Sequence, residues 1–131
     1  MVVILNPANV AKCLLRAGVG IGGDPLVGFG YYTGTSAVYQ KIAEVTIPAG
    51  KVGFIKSISF AADAGSEDRA EFKLTFGSTV MFEGKKCIGG ALLEFDDLVE
   101  VAAGTVVTVW VKSDGANEIK ANGIINGRAI S

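Results

Sequence analysis

From about residue 40 onward the chain repeats one unit. A β-prone run is followed by a glycine-containing turn, at spacings of about 8–12 residues. That spacing leaves no room for the helices of a parallel βαβ unit, which need roughly 10–15 residues between strands. It suits a sandwich or barrel of antiparallel strands. Ala70–Phe76 shows the pattern most plainly, with Phe72, Leu74 and Phe76 on one parity and Glu71, Lys73 and Thr75 on the other. Val52–Ala61 carries Val52, Phe54, Ile58 and Phe60 on one parity, with Lys56 between them and Ile55 on the other. Thr105–Lys112 sets Val107, Val109 and Val111 opposite Val106, Thr108 and Trp110, so both faces are apolar and a central strand covered twice is expected. Ile119, Ala121, Gly123 and Ile125 share one parity of the last run.

Turn residues punctuate these runs. They are Pro48-Ala49-Gly50, Gly77-Ser78, Ala103-Gly104 and Ser113-Asp114-Gly115, the last carrying an Asp-Gly hairpin signal. Asp96-Asp97 interrupts an apolar stretch and marks a bulge or a break. One echo stands out. Val45-Thr-Ile-Pro-Ala-Gly-Lys-Val52 and Val99-Glu-Val-Ala-Ala-Gly-Thr-Val106 both read V-x-[IV]-x-A-G-x-V, as two similar corners of a pseudo-duplicated jelly roll would. Chance is the rival reading, since Val, Ala and Gly are common here. The expected fold is all-β, a jelly-roll-like sandwich of about eight antiparallel strands over residues 40–131.

The first 39 residues read differently. Val2–Leu5 is a short β-prone run, and Asn6 and Pro7 are a good N-cap and first helical residue. A short helix is expected over 7–17, with Val10, Leu14 and Ala17 on one face and Gly18 ending it. Residues 18–36 then hold seven glycines in nineteen positions, with apolar anchors between them. A plain linker would be poorer in aromatics, and a structureless loop of this length seldom lacks a purpose. Residues 1–39 are therefore expected to form an extended arm with a short helix, gripping a partner through Leu26, Val27, Phe29, Tyr31 and Tyr32. A segment folded back on its own domain is the plainer alternative.

Chemistry is constrained by what the sequence lacks. It contains no histidine, so the usual general base at neutral pH and the commonest metal ligand are missing. Cys13 and Cys87 lie far apart, and two free thiols are favoured over a disulfide. Asp96-Asp97 and Glu67-Asp68 are adjacent in sequence, and on a strand such neighbours point to opposite faces. Asp63, Glu67 and Asp68, or Asp114 and Asn117, offer oxygen ligands for calcium without matching an EF-hand loop. Gly18, Gly20 and Gly23 fit G-x-G-x-x-G, but a helix precedes them and Pro25 follows, against the order of a dinucleotide site. Tyr31, Tyr32, Tyr39 and Trp110 are candidates for sugar stacking, with core or interface packing favoured for Trp110. No catalytic residue, cofactor or metal is expected. A net charge of −1 gives no reason to expect nucleic acid. The opening residues lack the basic start of a secretory signal, and no apolar run is long enough to span a membrane.

The stretch from Val45 to Ala129 resembles the small jelly-roll proteins of tailed-phage virions, capsid decoration (cement) proteins among them. The residues that carry the resemblance are Val45-Thr-Ile-Pro-Ala-Gly-Lys-Val-Gly-Phe-Ile-Lys-Ser-Ile-Ser-Phe60 and the closing Asn117-Glu-Ile-Lys-Ala-Asn-Gly-Ile-Ile-Asn-Gly127. It implies a structural, non-enzymatic virion protein that forms a homo-oligomer, typically a trimer, and binds the major capsid protein or another virion subunit. The alternatives are a carbohydrate- or receptor-binding tail-fibre module and a filament subunit assembled through its N-terminal arm.

Overall fold

The chain runs as one antiparallel ribbon folded back on itself. A computed structural model describes residues 23–87 and 89–131, with residues 96–98 as backbone only. Eight strands follow one another: β1 (Asp24–Gly34), β2 (Gln40–Thr46), β3 (Val52–Ala62), β4 (Glu71–Phe76), β5 (Thr79–Lys85), β6 (Ala91–Val101), β7 (Val106–Lys112) and β8 (Ile119–Ile130). First pairs with last and so on inward: β1 with β8, β2 with β7, β3 with β6, β4 with β5, all antiparallel. Rolling this ribbon brings β3 beside β8 and β4 beside β7. The result is two four-stranded sheets, ordered β1-β8-β3-β6 (sheet A) and β2-β7-β4-β5 (sheet B). This is the jelly-roll connectivity. Every connection crosses between the sheets except the Gly77-Ser78 turn joining β4 to β5.

The core lies between the sheets and follows the parity of the sequence except in β3, where the bulge at Lys56 brings Ile55, rather than Phe54, to the side of Ile58 and Phe60. Val107, Val109 and Val111 of β7 and Phe72 and Leu74 of β4 meet Ile55, Ile58 and Phe60 of β3 and Ile119 and Ile125 of β8. Burying each such side chain contributes about 1.5–3 kcal/mol. Phe60 stacks at a tilt on Phe72 with ring centroids 4.8 Å apart. The break at Asp96-Asp97 is a bulge. Ile55 pairs with Val99 and Ser57 with Glu94, so residues 95–98 of β6 stand against Lys56 alone. The same lysine is bulged against β8.

Three expectations are corrected. The sandwich begins at Asp24, not residue 40, because Asp24–Gly34 pairs along its whole length with Ala129–Ile119. Its glycines serve close approach rather than flexibility. A Cβ on Gly28 would stand 2.9 Å from the carbonyl carbon of Glu44, and one on Gly30 would run into the carbonyl oxygen of Ile42. Glycine there lets β1 lie against β2 where the two sheets meet. The Asp114-Gly115 turn joins no hairpin, because β7 and β8 lie in different sheets. Finally, β7 is central in sheet B, but only its Val107, Val109 and Val111 parity faces the core between the sheets, although Thr108 on the other parity is also buried. Its other parity, with Trp110 half-buried, forms the outside of sheet B. The β-prone run Val2–Leu5, the helix expected over 7–17, Gly18 and Gly20, and Cys13 lie outside the described residues.

Candidate functional site

The alternation of β1 divides the five arm residues. Leu26 and Tyr32 point inward, Leu26 buried in the core and Tyr32 packed against it. The Tyr32 hydroxyl accepts a hydrogen bond from the Ser36 N–H at 3.1 Å, fixing the start of the β1–β2 connection. Val27, Phe29 and Tyr31 point outward, and Phe29 and Tyr31 are 78% and 82% exposed. One strand thus supplies both core residues and a surface stripe, as a period of two dictates.

The stripe continues across sheet A. Phe29 lies opposite Ile124, Ile124 opposite Ser59, and Ser59 opposite Leu92. Ile124 is 48% and Leu92 61% exposed. This row therefore runs over all four strands with only the Ser59 hydroxyl to interrupt it. The flanking rows are more polar: Val27, Asn126, Ser57 and Glu94 on one side, Tyr31, Asn122 and Ala61 on the other. An apolar centre with a polar rim is the layout of a protein interface. Covering Phe29 and Tyr31 with a partner would contribute about 1.5–3 kcal/mol each.

The outside of sheet B is built otherwise. Trp110 donates its indole N–H to Thr75 Oγ1 at 3.0 Å. Lys41 and Lys73 place their ammonium groups 5.4 and 5.6 Å from the Trp110 ring centre. Lys73 and Lys112 do the same for Tyr39 at 5.3 and 4.8 Å. Glu44 pairs with Lys41 at 3.0 Å and Glu71 with Lys112 at 3.4 Å. The Tyr39 hydroxyl accepts from the Gly84 N–H at 3.0 Å. Aromatic surface here is laid over by lysines, two of them paired with glutamates, while Val80 and Met81 of the edge strand β5 stay about half exposed.

Two open clefts lie among the described residues. One of about 270 Å³ is lined by Asp68, Arg69, Glu71, Lys86, Lys112 and Asp114, a balanced mixture of charge. The other, about 180 Å³, lies beside Tyr31, Tyr32, Asp63 and Lys120. Among the described residues no three Asp, Glu or Cys side chains gather as a metal centre would require. Asp114, a candidate calcium ligand, spends its carboxylate on its own loop. It accepts from the N–H groups of Ala116 and Asn117 at 2.9 and 2.8 Å and from the Asn117 side chain at 2.7 Å. These bonds hold its carboxyl well below the usual range. Cys87 is a free thiol whose pKa is pushed up by burial, which makes it a poor nucleophile. No helix of the described residues is long and apolar enough to cross a membrane.

Sequence reasoning picked out Phe29 and Tyr31 but missed Ile124 and Leu92, which join them only through strand pairing across the sheet. The available signal was parity. Ile124 sits out of phase with Ile119, Ala121 and Ile125, an apolar residue on the side that should be polar.

No family model matches the chain, and no curated protein matches it. Among solved structures, one titled "Crystal Structure of FLHE" is similar over 82% of this chain and 98% of that chain, with 13% sequence identity and a TM-score of 0.46.

Proposed function

We propose that this chain is a structural virion protein. In this reading it forms a homotrimer that reinforces a capsid from outside, as decoration (cement) proteins do, with sheet A turned toward its protein partners and sheet B toward solvent. The carrying observation is the Phe29–Ile124–Ser59–Leu92 row, apolar surface spread over all four strands of sheet A. An exposed stripe of this kind on a small domain marks an interaction surface. The lysines and ion pairs around Trp110 and Tyr39 support this polarity, since a charged, paired patch gains little by docking. The resemblance to small virion jelly rolls names the setting, and a histidine-free chain agrees with a structural role. The fold alone would not single out this role, because jelly rolls also serve as lectins and cupins.

The direct test is mass spectrometry and cosedimentation of virions from the source that encodes the chain. Stoichiometric presence on the particle, lost when Phe29 and Ile124 are both made polar, is the expected result. Absence of the chain from purified particles would overturn the reading.

One observation favours a second reading, a receptor-binding module. Tyr39 and Trp110 lie on one face with Lys41, Lys73 and Lys112 around them, which suits an acidic saccharide. Titration with carboxylated and sulfated oligosaccharides separates the two readings, since the structural reading expects no binding. The filament alternative finds less support, because β1 of the same chain fills its own edge of sheet A.

A further inference from the structure

A homotrimer cannot be built from one self-complementary patch, because a contact between two like patches closes as a two-fold pair. Three copies around one axis need two different patches, each fitting the other. Among the described residues the large exposed apolar side chains fall into two groups and one isolated valine. Val27, Phe29, Tyr31, Ile124 and Leu92 form the first group, on the outer face of sheet A. Val80 and Met81, 47% and 54% exposed, form the second, on β5, the edge strand of sheet B. Val38 stands alone in the β1–β2 connection, and a single exposed valine is ordinary.

We propose that the occupant of the Phe29–Ile124–Leu92 row is the β5 edge of a second copy, so that copies join head to tail; this rests on the homotrimer proposed above. The local structure of β5 suits it to that role. Phe82 is the inward residue, its ring centroid 5.5 Å from that of Phe60. Leu74 pairs with Phe82 and Thr75 with Val80, so Met81 is bulged out of the ladder with no partner on β4. Val80 and Met81 are left outside because Phe82 takes the place in the core. The far side of β5 is also open, since no strand follows it in sheet B among the described residues.

The receiving row fits in shape and in charge. Ile124 and Leu92 stand on the strands either side of β3, about 10 Å apart at the usual strand spacing, with only Ser59 between them. The short serine leaves a dip between two larger apolar side chains. A methionine, unbranched and adaptable, fills such a dip. At the Leu92 end of the row every charged residue of β6 is acidic, the exposed Glu94 and Glu100 among them. β5 ends in Lys85 and Lys86 follows it, with Glu83 the one acid of the strand. A basic edge laid beside acidic β6 gains attraction, whereas β6 against a second β6 would set like charges together.

The test is light scattering after size exclusion on two variants of the full chain, with denaturation midpoints confirming that both fold. Val80→Ser, Met81→Ser removes the edge patch, and Phe29→Ser, Ile124→Asn removes the face patch. Each variant alone should be monomeric where the full chain is a trimer. Their equimolar mixture, at high concentration, should run at the mass of two chains, because the intact edge of one variant still meets the intact face of the other. If the edge variant keeps the full chain's mass while the face variant falls to monomer, sheet A remains the interface and β5 is overturned as its occupant. A mixture that stays monomeric likewise overturns the head-to-tail pairing. If both variants keep the full chain's mass, or the full chain is itself monomeric, the sheet A trimer fails and the pairing fails with it.

Discussion

Ile47 and Gly104 join the two inter-sheet corners at one end of the sandwich: the Gly104 N–H donates to the Ile47 carbonyl at 2.8 Å, and the Ile47 N–H donates to the next residue's carbonyl, Thr105, at 3.0 Å. Each corner closes the same way. Lys51 N–H donates to Pro48 and Thr105 N–H to Ala102, both at 3.2 Å, with Gly50 and Gly104 at φ of 77° and 80°. A positive φ at the third turn residue after a negative one is the type II pattern. Nothing lies near either Cα, so backbone conformation alone sets the cost of a side chain there. Gly50→Ala and Gly104→Ala should each lower stability by about 1 kcal/mol in urea denaturation, and Asn at either position by less.

The glycines of β1 should behave differently. Gly28 and Gly30 have ordinary φ, but a Cβ on either would strike the β2 backbone, which cannot yield as a side-chain end can. Gly30→Ala should cost about 1–3 kcal/mol or more by forcing the sheets apart, well above Gly104→Ala. Phe29→Ser, one residue away on the exposed side, should stay within about 0.5 kcal/mol in the same assay.

Stability should fall in acid with a sign fixed by two carboxylates. Asp114 is held low by the Ala116 N–H first, then by Asn117 and Ser113. Asp24 is held low by its hydrogen bond to Lys51 and by that residue's charge. A folded-state pKa below the unfolded one stabilises the fold above about pH 4, and the contribution is lost as the pH falls through the folded value. The denaturation midpoint should therefore drop between about pH 5 and pH 2. The double variant Asp24→Asn, Asp114→Asn should show a shallower drop.

Trp110 anchors the solvent side of sheet B. Trp110→Phe removes the donor to Thr75, whose residue is largely buried, and weakens the stacking of Lys41 and Lys73. The expected cost is about 1 kcal/mol, visible as a lower urea midpoint. Trp110→Ala should cost more, because packed ring surface goes with it.

Most of the fold was legible in the sequence because two-residue periodicity and turn residues are local. The parities of β4 and β7, the bulge at Asp96-Asp97 and the paired corners at Gly50 and Gly104 all follow from neighbours along the chain. β1 was misread because its glycines answer to β2, a contact sequence spacing does not encode. Gly28, Gly30 and Gly34 alternate with Phe29, Tyr31 and Thr33 or Tyr32 only roughly, and that period of two was hidden by the looser glycine run before it. The candidate surface was half legible for the same reason. Phe29 and Tyr31 announce themselves as aromatics among glycines, whereas Ile124 and Leu92 join them through hydrogen-bonded register.

The central claim, that the outer face of sheet A is where this chain meets its partners, is tested most directly by light scattering after size exclusion. The full chain should be compared with its Phe29→Ser, Ile124→Asn variant at equal concentration, with denaturation midpoints confirming that both fold. A defined oligomer, a trimer in this account, that falls to monomer in the variant is the predicted result. An oligomer of unchanged mass in the variant, or a full chain that is monomeric at every concentration, would contradict it.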